Sequence, residues 1–192
     1  ELTDVDSAGI NVLLLGFCQE LGIRSVLTTE VINWCRSCVK ELDLARMLVN
    51  YACNHHVLPK HIEEDLILLR DPRLHEHDDL APKEMAHRIK DKNFRLFTQR
   101  GKIHVMNNKM SLEGINPFQL FDEMAKREPI DPAHAFYLGY EMAKAITALY
   151  LGKNYVQDQA LKWGFLTVPE VSHSYIIEKP MNESEESSLE GT

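Results

Sequence analysis

The sequence has no apolar run near the 18–20 residues that cross a bilayer, no excess of basic charge and few cysteines. Each shortage closes off a class of function. The first excludes a membrane-spanning helix. The second speaks against nucleic-acid binding: 21 Lys and Arg stand against 29 Asp and Glu, a net charge of −8, so no basic stripe exists to neutralise phosphates. Half of that charge sits in Glu183, Glu185, Glu186 and Glu190, which leaves the body only mildly acidic. The third concerns the redox compartment. Four cysteines with neither a basic n-region nor an apolar h-region ahead of them predict a reducing cytoplasm and no disulfide framework. The chain opens on Glu1-Leu2-Thr3 rather than on Met, which reads as a piece of a longer protein.

What the sequence does contain is the balance of an ordinary folded chain. It is 44% hydrophobic and 26% charged over 192 residues, enough for one domain or two small ones. Residues 5–21 read as a mostly apolar helix closed by Gly22. Ile23 to Thr29 reads as a short strand, apolar enough to be buried on both faces. A long helix follows from Val31 to Asn54, with Val31, Cys35, Cys38, Leu42, Ala45, Val49 and Ala52 on its core side. Helix, buried strand, helix is the pattern of a parallel α/β fold, but one strand cannot satisfy its own backbone. Residues 1–56 are therefore expected to be the last segment of a sheet or barrel.

After Pro59 the pattern changes. A short apolar segment spans Ile62 to Leu69, a charged loop runs from Asp71 to Asp79, and an amphipathic stretch from Pro82 to Lys90. Phe94–Thr98 and Lys102–Met106 alternate apolar and polar residues around Gln99-Arg100-Gly101, a hairpin signal. Asn116-Pro117 opens a helix to about Lys126, and Asp131-Pro132 opens another that runs to Leu151 and stops at Gly152. From residue 180 onward no apolar pattern remains, which predicts disorder.

Two stretches carry candidate chemistry. Glu30, Asn33 and Arg36 lie at the strand-to-helix junction, where α/β folds bind ligands, and Arg36 offers a planar fork for a carboxylate or phosphate. The alternative is helix capping by Thr29 or Glu30 with Arg36 solvated. In the second stretch, helical spacing places His134, Tyr137, Glu141 and Lys144 near one face, and Tyr155, Gln157 and Asp158 follow the helix end. A neutral His134 suits proton transfer; a buried network that only fixes the fold is the alternative. Gly139 inside this helix suggests a close contact or a ligand passing over it. Cys35-Arg36-Ser37-Cys38 has the C-x-x-C form, but both cysteines fall on the apolar stripe and read as core. The histidines at 55, 56, 61, 75 and 77 match no zinc spacing, so no metal site is expected.

Thr28–Leu48 and His134–Asp158 together resemble the C-terminal part of dihydropteroate-synthase-like proteins, a pterin-binding TIM-barrel family linked to tetrahydromethanopterin metabolism. The family carries an H-A-x-Y-L-G-x-E-x-x-K-A segment, here His134 to Ala145, and a Y-x-Q-D segment, here Tyr155 to Asp158. The resemblance implies that residues 1–56 supply the seventh barrel helix, the eighth strand and the eighth helix. It implies that residues 57–170 form an appended α+β domain of unknown function, with residues 171–192 an acidic tail. It also implies a reduced pterin as ligand of the whole protein. True synthases hold a pyrophosphate with an Arg-x-His-Asp motif after the eighth strand, whereas Thr28-Thr29-Glu30-Val31 stands here. An acidic side chain there repels a pyrophosphate.

Three readings follow. In the first, the chain belongs to a synthase-like transferase, is inactive by itself, and places Glu30, Asn33 and Arg36 at the barrel mouth, where the appended domain caps or pairs it. In the second, the appended domain has its own site, with His134 as acid or base, Tyr137 and Glu141 positioning, and Lys144 binding an anion. In the third, Phe118, Phe121, Phe136 and Tyr140 build a homodimer or other interaction surface.

Overall fold

The computed structural model describes residues 4–62, 64–75 and 93–170. It is a mixed α/β structure. The described elements are α1 (Ser7–Glu20), a 3-10 turn (Asn33–Cys35), α2 (Cys38–His55), the strands β1 (Arg95–Gln99), β2 (Lys102–Met106) and β3 (Ser111–Gly114), then α3 (Pro117–Arg127) and α4 (Pro132–Leu151). The expected amphipathic stretch at 82–90 and the acidic tail lie outside the described residues.

Helix α1 packs on α2 through Leu15 against Ala45 and Val49, with Val12, Cys18 and Leu42 around them. A polar link closes the same interface: Asn11 Nδ2 donates to Glu41 Oε2 at 2.7 Å, and Ser37 Oγ donates to Glu41 Oε1 at 2.7 Å. Cys35 and Cys38 are buried beside this link, as the apolar stripe implies. The opposite face of α1 is equally apolar. Ile10, Leu13, Leu14, Phe17 and Leu21 form an i, i+3, i+4 stripe and are exposed. A helix apolar all round is ordinarily buried all round.

Two expectations for this region are corrected. Ile23–Thr29 forms no strand: no described strand lies beside it, and Leu27 and Val31 are 96% and 77% exposed. With no neighbour to accept its backbone bonds, an apolar sequence alone cannot make a strand. The following helix also begins at Cys38 rather than Val31. The Glu30 carboxylate accepts the Val39 N–H at 2.9 Å, so an anion from nine residues upstream covers the helix start.

The remaining residues build a second core. The sheet order is β1-β2-β3, antiparallel throughout, with Leu96 opposite Val105 and Val105 opposite Leu112. One face, carrying Leu96, Ile103 and Val105, packs on Met124 of α3 and on Leu138, Met142, Ala145 and Ala148 of α4. The hairpin β1–β2 follows the sequence pattern; β3 does not, because Asn107 makes the turn before it. Its buried Oδ1 accepts from the backbone of Lys109 and Met110 at 2.9 Å each, and its Nδ2 donates to Glu128 at 2.9 Å.

Both C-terminal helices start as the sequence prescribes. The Asn116 side chain accepts from the backbone of Phe118 and Gln119, and the Asp131 carboxylate accepts from Ala133 and His134, each at 3.0 Å. Those backbone donors hold the Asp131 carboxyl below its usual range. Gly139 meets no close contact: an added Cβ would find nothing within 4 Å. Gly139→Ala is therefore expected to raise stability by about 1 kcal/mol, read as a higher melting temperature. An unchanged or lower value would mean that a partner presses on this position.

A strap of residues 64–75 joins the two cores. Leu66 packs against the α1–α2 cluster, while the Phe165 N–H donates to the Asp65 carbonyl at 2.9 Å and the Asp71 N–H to Gly152 at 3.1 Å. The buried Lys153 ammonium donates to the carbonyls of Leu68 (2.9 Å) and Lys162, and lies 4.1 Å from the Trp163 ring centre. Asp71 accepts from the backbone and side chain of Asn154 at 2.9 Å each.

Candidate functional site

The polar side chains of α4 and the segment after it form one connected network. Residues at i, i+4 and i+7 share a helix side, so Tyr137, Glu141 and Lys144 reach the same strip. The chain then turns back at Gly152, in the left-handed region at φ 66°, and lays Tyr155, Gln157 and Asp158 across it. Glu141 is buried. Its Oε2 accepts from the Tyr155 hydroxyl at 2.6 Å and its Oε1 pairs with the Lys144 ammonium at 2.7 Å. Lys144 also donates to the Gln159 carbonyl at 3.1 Å and to the Glu170 carboxylate at 2.7 Å, and lies 5.0 Å from the Tyr140 ring centre.

At the N-terminal end of the helix the Tyr137 hydroxyl donates to Asp158 Oδ1 at 2.8 Å and accepts from Gln157 Nε2 at 2.6 Å. The Gln157 amide also binds the edge of β1: it accepts the Leu96 N–H at 2.9 Å and donates to the Phe94 carbonyl at 3.2 Å, in place of a neighbouring strand. His134 sits with its ring edge-on to Phe94 and Tyr137, at 5.8 and 6.0 Å between centroids. Its Nε2 is buried without a hydrogen-bond partner among the described residues.

The electrostatics follow from burial. Burial, then the hydrogen bond to Glu141, pushes the Tyr155 phenol far above its usual range, and burial does the same at Tyr137. Burial works against the Lys144 charge, but Glu141 and Glu170 outweigh it and hold the ammonium above its ordinary value. At neutral pH both phenols thus stay protonated donors and Lys144 stays charged. Glu141, Lys144, Tyr155 and Gln157 are each engaged with partners inside the fold, which is the chemistry of a fixed scaffold. Glu170 and the Gln159 carbonyl complete the arrangement, and no spacing in the sequence points to them.

The junction residues do not join this network. Glu30 covers the start of α2, Asn33 opens the 3-10 turn, and Arg36 is exposed. Phe118, Phe136 and Tyr140 are exposed, whereas Phe121 packs against the core. Among the described residues no three His, Cys, Asp or Glu side chains gather as metal ligands, and no helix is long and apolar enough to cross a membrane.

Comparison with known proteins adds two findings. A family model described as PterinBD-DUF4346 matches residues 81–158, the stretch that contains the sheet, α3, α4 and the Tyr155–Asp158 segment. An uncharacterized protein of Methanocaldococcus jannaschii is 30% identical over 176 residues, which cover 82% of this chain and 34% of that protein. The chain thus spans about a third of the length of the curated relative it matches. No solved structure matches it.

Proposed function

We propose that this chain is one module of a longer pterin-binding protein of the dihydropteroate-synthase-like kind, related to tetrahydromethanopterin metabolism. Residues 1–56 complete an α/β barrel, residues 57–170 cap or pair it, and the ligand is a reduced pterin. The observation that carries the reading is the apolar segment Ile23–Val31 between α1 and α2. Its side chains are exposed, no described strand pairs with it, and the outward stripe of α1 is apolar as well. An apolar segment and a helix of this composition need neighbours on both sides, and a longer polypeptide supplies them. The pterin-binding name of the matching family and the greater length of the relative, of which the match covers 34%, agree with that.

On this reading Glu30, Asn33 and Arg36 stand at the mouth of the completed barrel. Arg36 can bind a carboxylate or carbonyl edge with two parallel N–H bonds, and Glu30 can accept from a ring amino group. The transferase reaction proper lacks its pyrophosphate-holding residues at Thr28–Val31. In the longer protein, Glu30→Ala and Arg36→Ala are each expected to weaken reduced-pterin binding by about tenfold. Unchanged affinity in both variants would overturn the placement.

One observation favours a second reading. The Nε2 of His134, buried against Tyr137 and without a hydrogen-bond partner among the described residues, is a group that a ligand inserted between α4 and its cover could engage. In that case His134→Ala, and not the Arg36 variant, would abolish ligand binding.

A further inference from the structure

Helix α4 is poor in charge on every side, and one of its sides is uncovered. Glu141 and Lys144 are its sole Asp, Glu, Lys or Arg residues, and both are buried in the network beside Tyr155. The side turned to solvent therefore carries no such residue along a helix about 30 Å long. A surface helix ordinarily places charged residues there, as α3 does with Asp122, Lys126 and Arg127, all exposed. On α4 that side holds rings instead: Phe136, Tyr140 and Tyr150 are 74%, 45% and 73% exposed.

The spacing of these residues is regular. Ala133, Phe136, Tyr140, Ala143, Thr147 and Tyr150 alternate steps of three and four, the seam along which two helices pack at a shallow angle. Gly139 stands beside this seam rather than in it. Turned antiparallel on itself about a point between Glu141 and Met142, the seam sets Ala133 opposite Tyr150, Phe136 opposite Thr147 and Tyr140 opposite Ala143. Every layer then joins one ring to one small side chain, which lets the helices close without voids. A parallel pairing would set ring on ring and Ala on Ala. The Thr147 hydroxyl already donates to the Ala143 carbonyl at 2.8 Å, and the Lys144 ammonium lies 5.0 Å from the Tyr140 ring centre. Covering the seam thus strands no Thr147 hydroxyl and meets a ring already held in place.

We propose that the exposed seam of α4 binds the same seam of a second copy of this chain, antiparallel about a two-fold axis. Residues near such an axis face their own copies, so a charge there would meet its like, and the seam has none. At these exposures the rings and the small residues between them offer about 600 Å² per copy, or about 1,200 Å² for the pair, the lower edge of specific interfaces. That area suits a reversible dimer of micromolar affinity. The interface uses neither the barrel mouth nor the buried Glu141 network, and it stands whether or not the pterin reading holds.

Sedimentation velocity over a series from micromolar to millimolar chain tests the proposal, and a concentration-dependent monomer–dimer equilibrium is expected. Ala143 is exposed, so Ala143→Glu and Ala143→Lys should leave the melting temperature of the dilute chain nearly unchanged. Each should weaken association about tenfold or more, because like charges then meet at the axis. Mixing the two variants should restore association, since opposite charges then face each other. A monomer throughout the series would overturn the proposal, as would a dimer that both Ala143 variants leave intact. So would a dimer lost in Leu14→Glu, on the exposed stripe of α1, but kept in the Ala143 variants.

Discussion

Gly164→Ala is expected to lower the melting temperature by roughly 10 °C or more. Gly164 has φ +55°, already strained for any side chain, and it sits directly against the strap. An added Cβ would fall far inside the contact distance of the Asp65 carbonyl oxygen and 2.8 Å from Leu68 Cδ2. Backbone cannot retreat from such a clash as a flexible side chain can. The strap must leave, breaking the Phe165–Asp65 hydrogen bond at 2.9 Å and loosening the carbonyl cage around Lys153. The sum of strain and lost contacts is on the order of 3–4 kcal/mol, and each kcal/mol is worth about 2–4 °C in a chain of this size. Gly152→Ala is the internal control. Its φ is +66°, but an added Cβ there would meet only the Arg70 guanidinium, at 3.7 Å, so only the strain of about 1 kcal/mol is expected. Equal effects at the two positions would show that the Asp65–Gly164 contact does not hold the strap.

Glu141→Leu is expected to destabilise the chain by about 3 kcal/mol, as when one member of a buried ion pair is removed. The substitution strips the Tyr155 hydroxyl of its acceptor and takes one carboxylate from Lys144, which keeps Glu170. Tyr155→Phe removes only the donor and should cost about 1–2 kcal/mol. Chemical denaturation of the two variants and their double mutant measures the coupling between the residues. Additive losses would mean that the 2.6 Å bond contributes little, and would weaken the view of this network as a scaffold.

The sequence made some of this architecture readable and concealed the rest for physical reasons. Helix starts at Asn116-Pro117 and Asp131-Pro132, and stops at Gly22 and Gly152, are local events governed by one or two side chains. The hairpin was legible for the same reason. The late start of α2 was not, because its cover is Glu30, nine residues from the N–H it accepts. Strand β3 depends on Asn107 and its bond to Glu128, a contact between residues far apart in sequence. The grouping of Tyr137, Glu141 and Lys144 follows from helical spacing, and its partners Tyr155, Gln157 and Asp158 stand just past the end of the same helix. Which of those groups would be engaged internally depended on a reversal of the chain that no spacing encodes.

The most direct test of the central claim is calorimetric titration of a reduced pterin into the full-length archaeal relative and into this chain in parallel. The account predicts saturable binding to the longer protein and none to this chain, because under the proposed function residues 1–56 would supply only the closing part of the pocket. Binding of equal strength to this chain alone, or no binding to the longer protein, would contradict it.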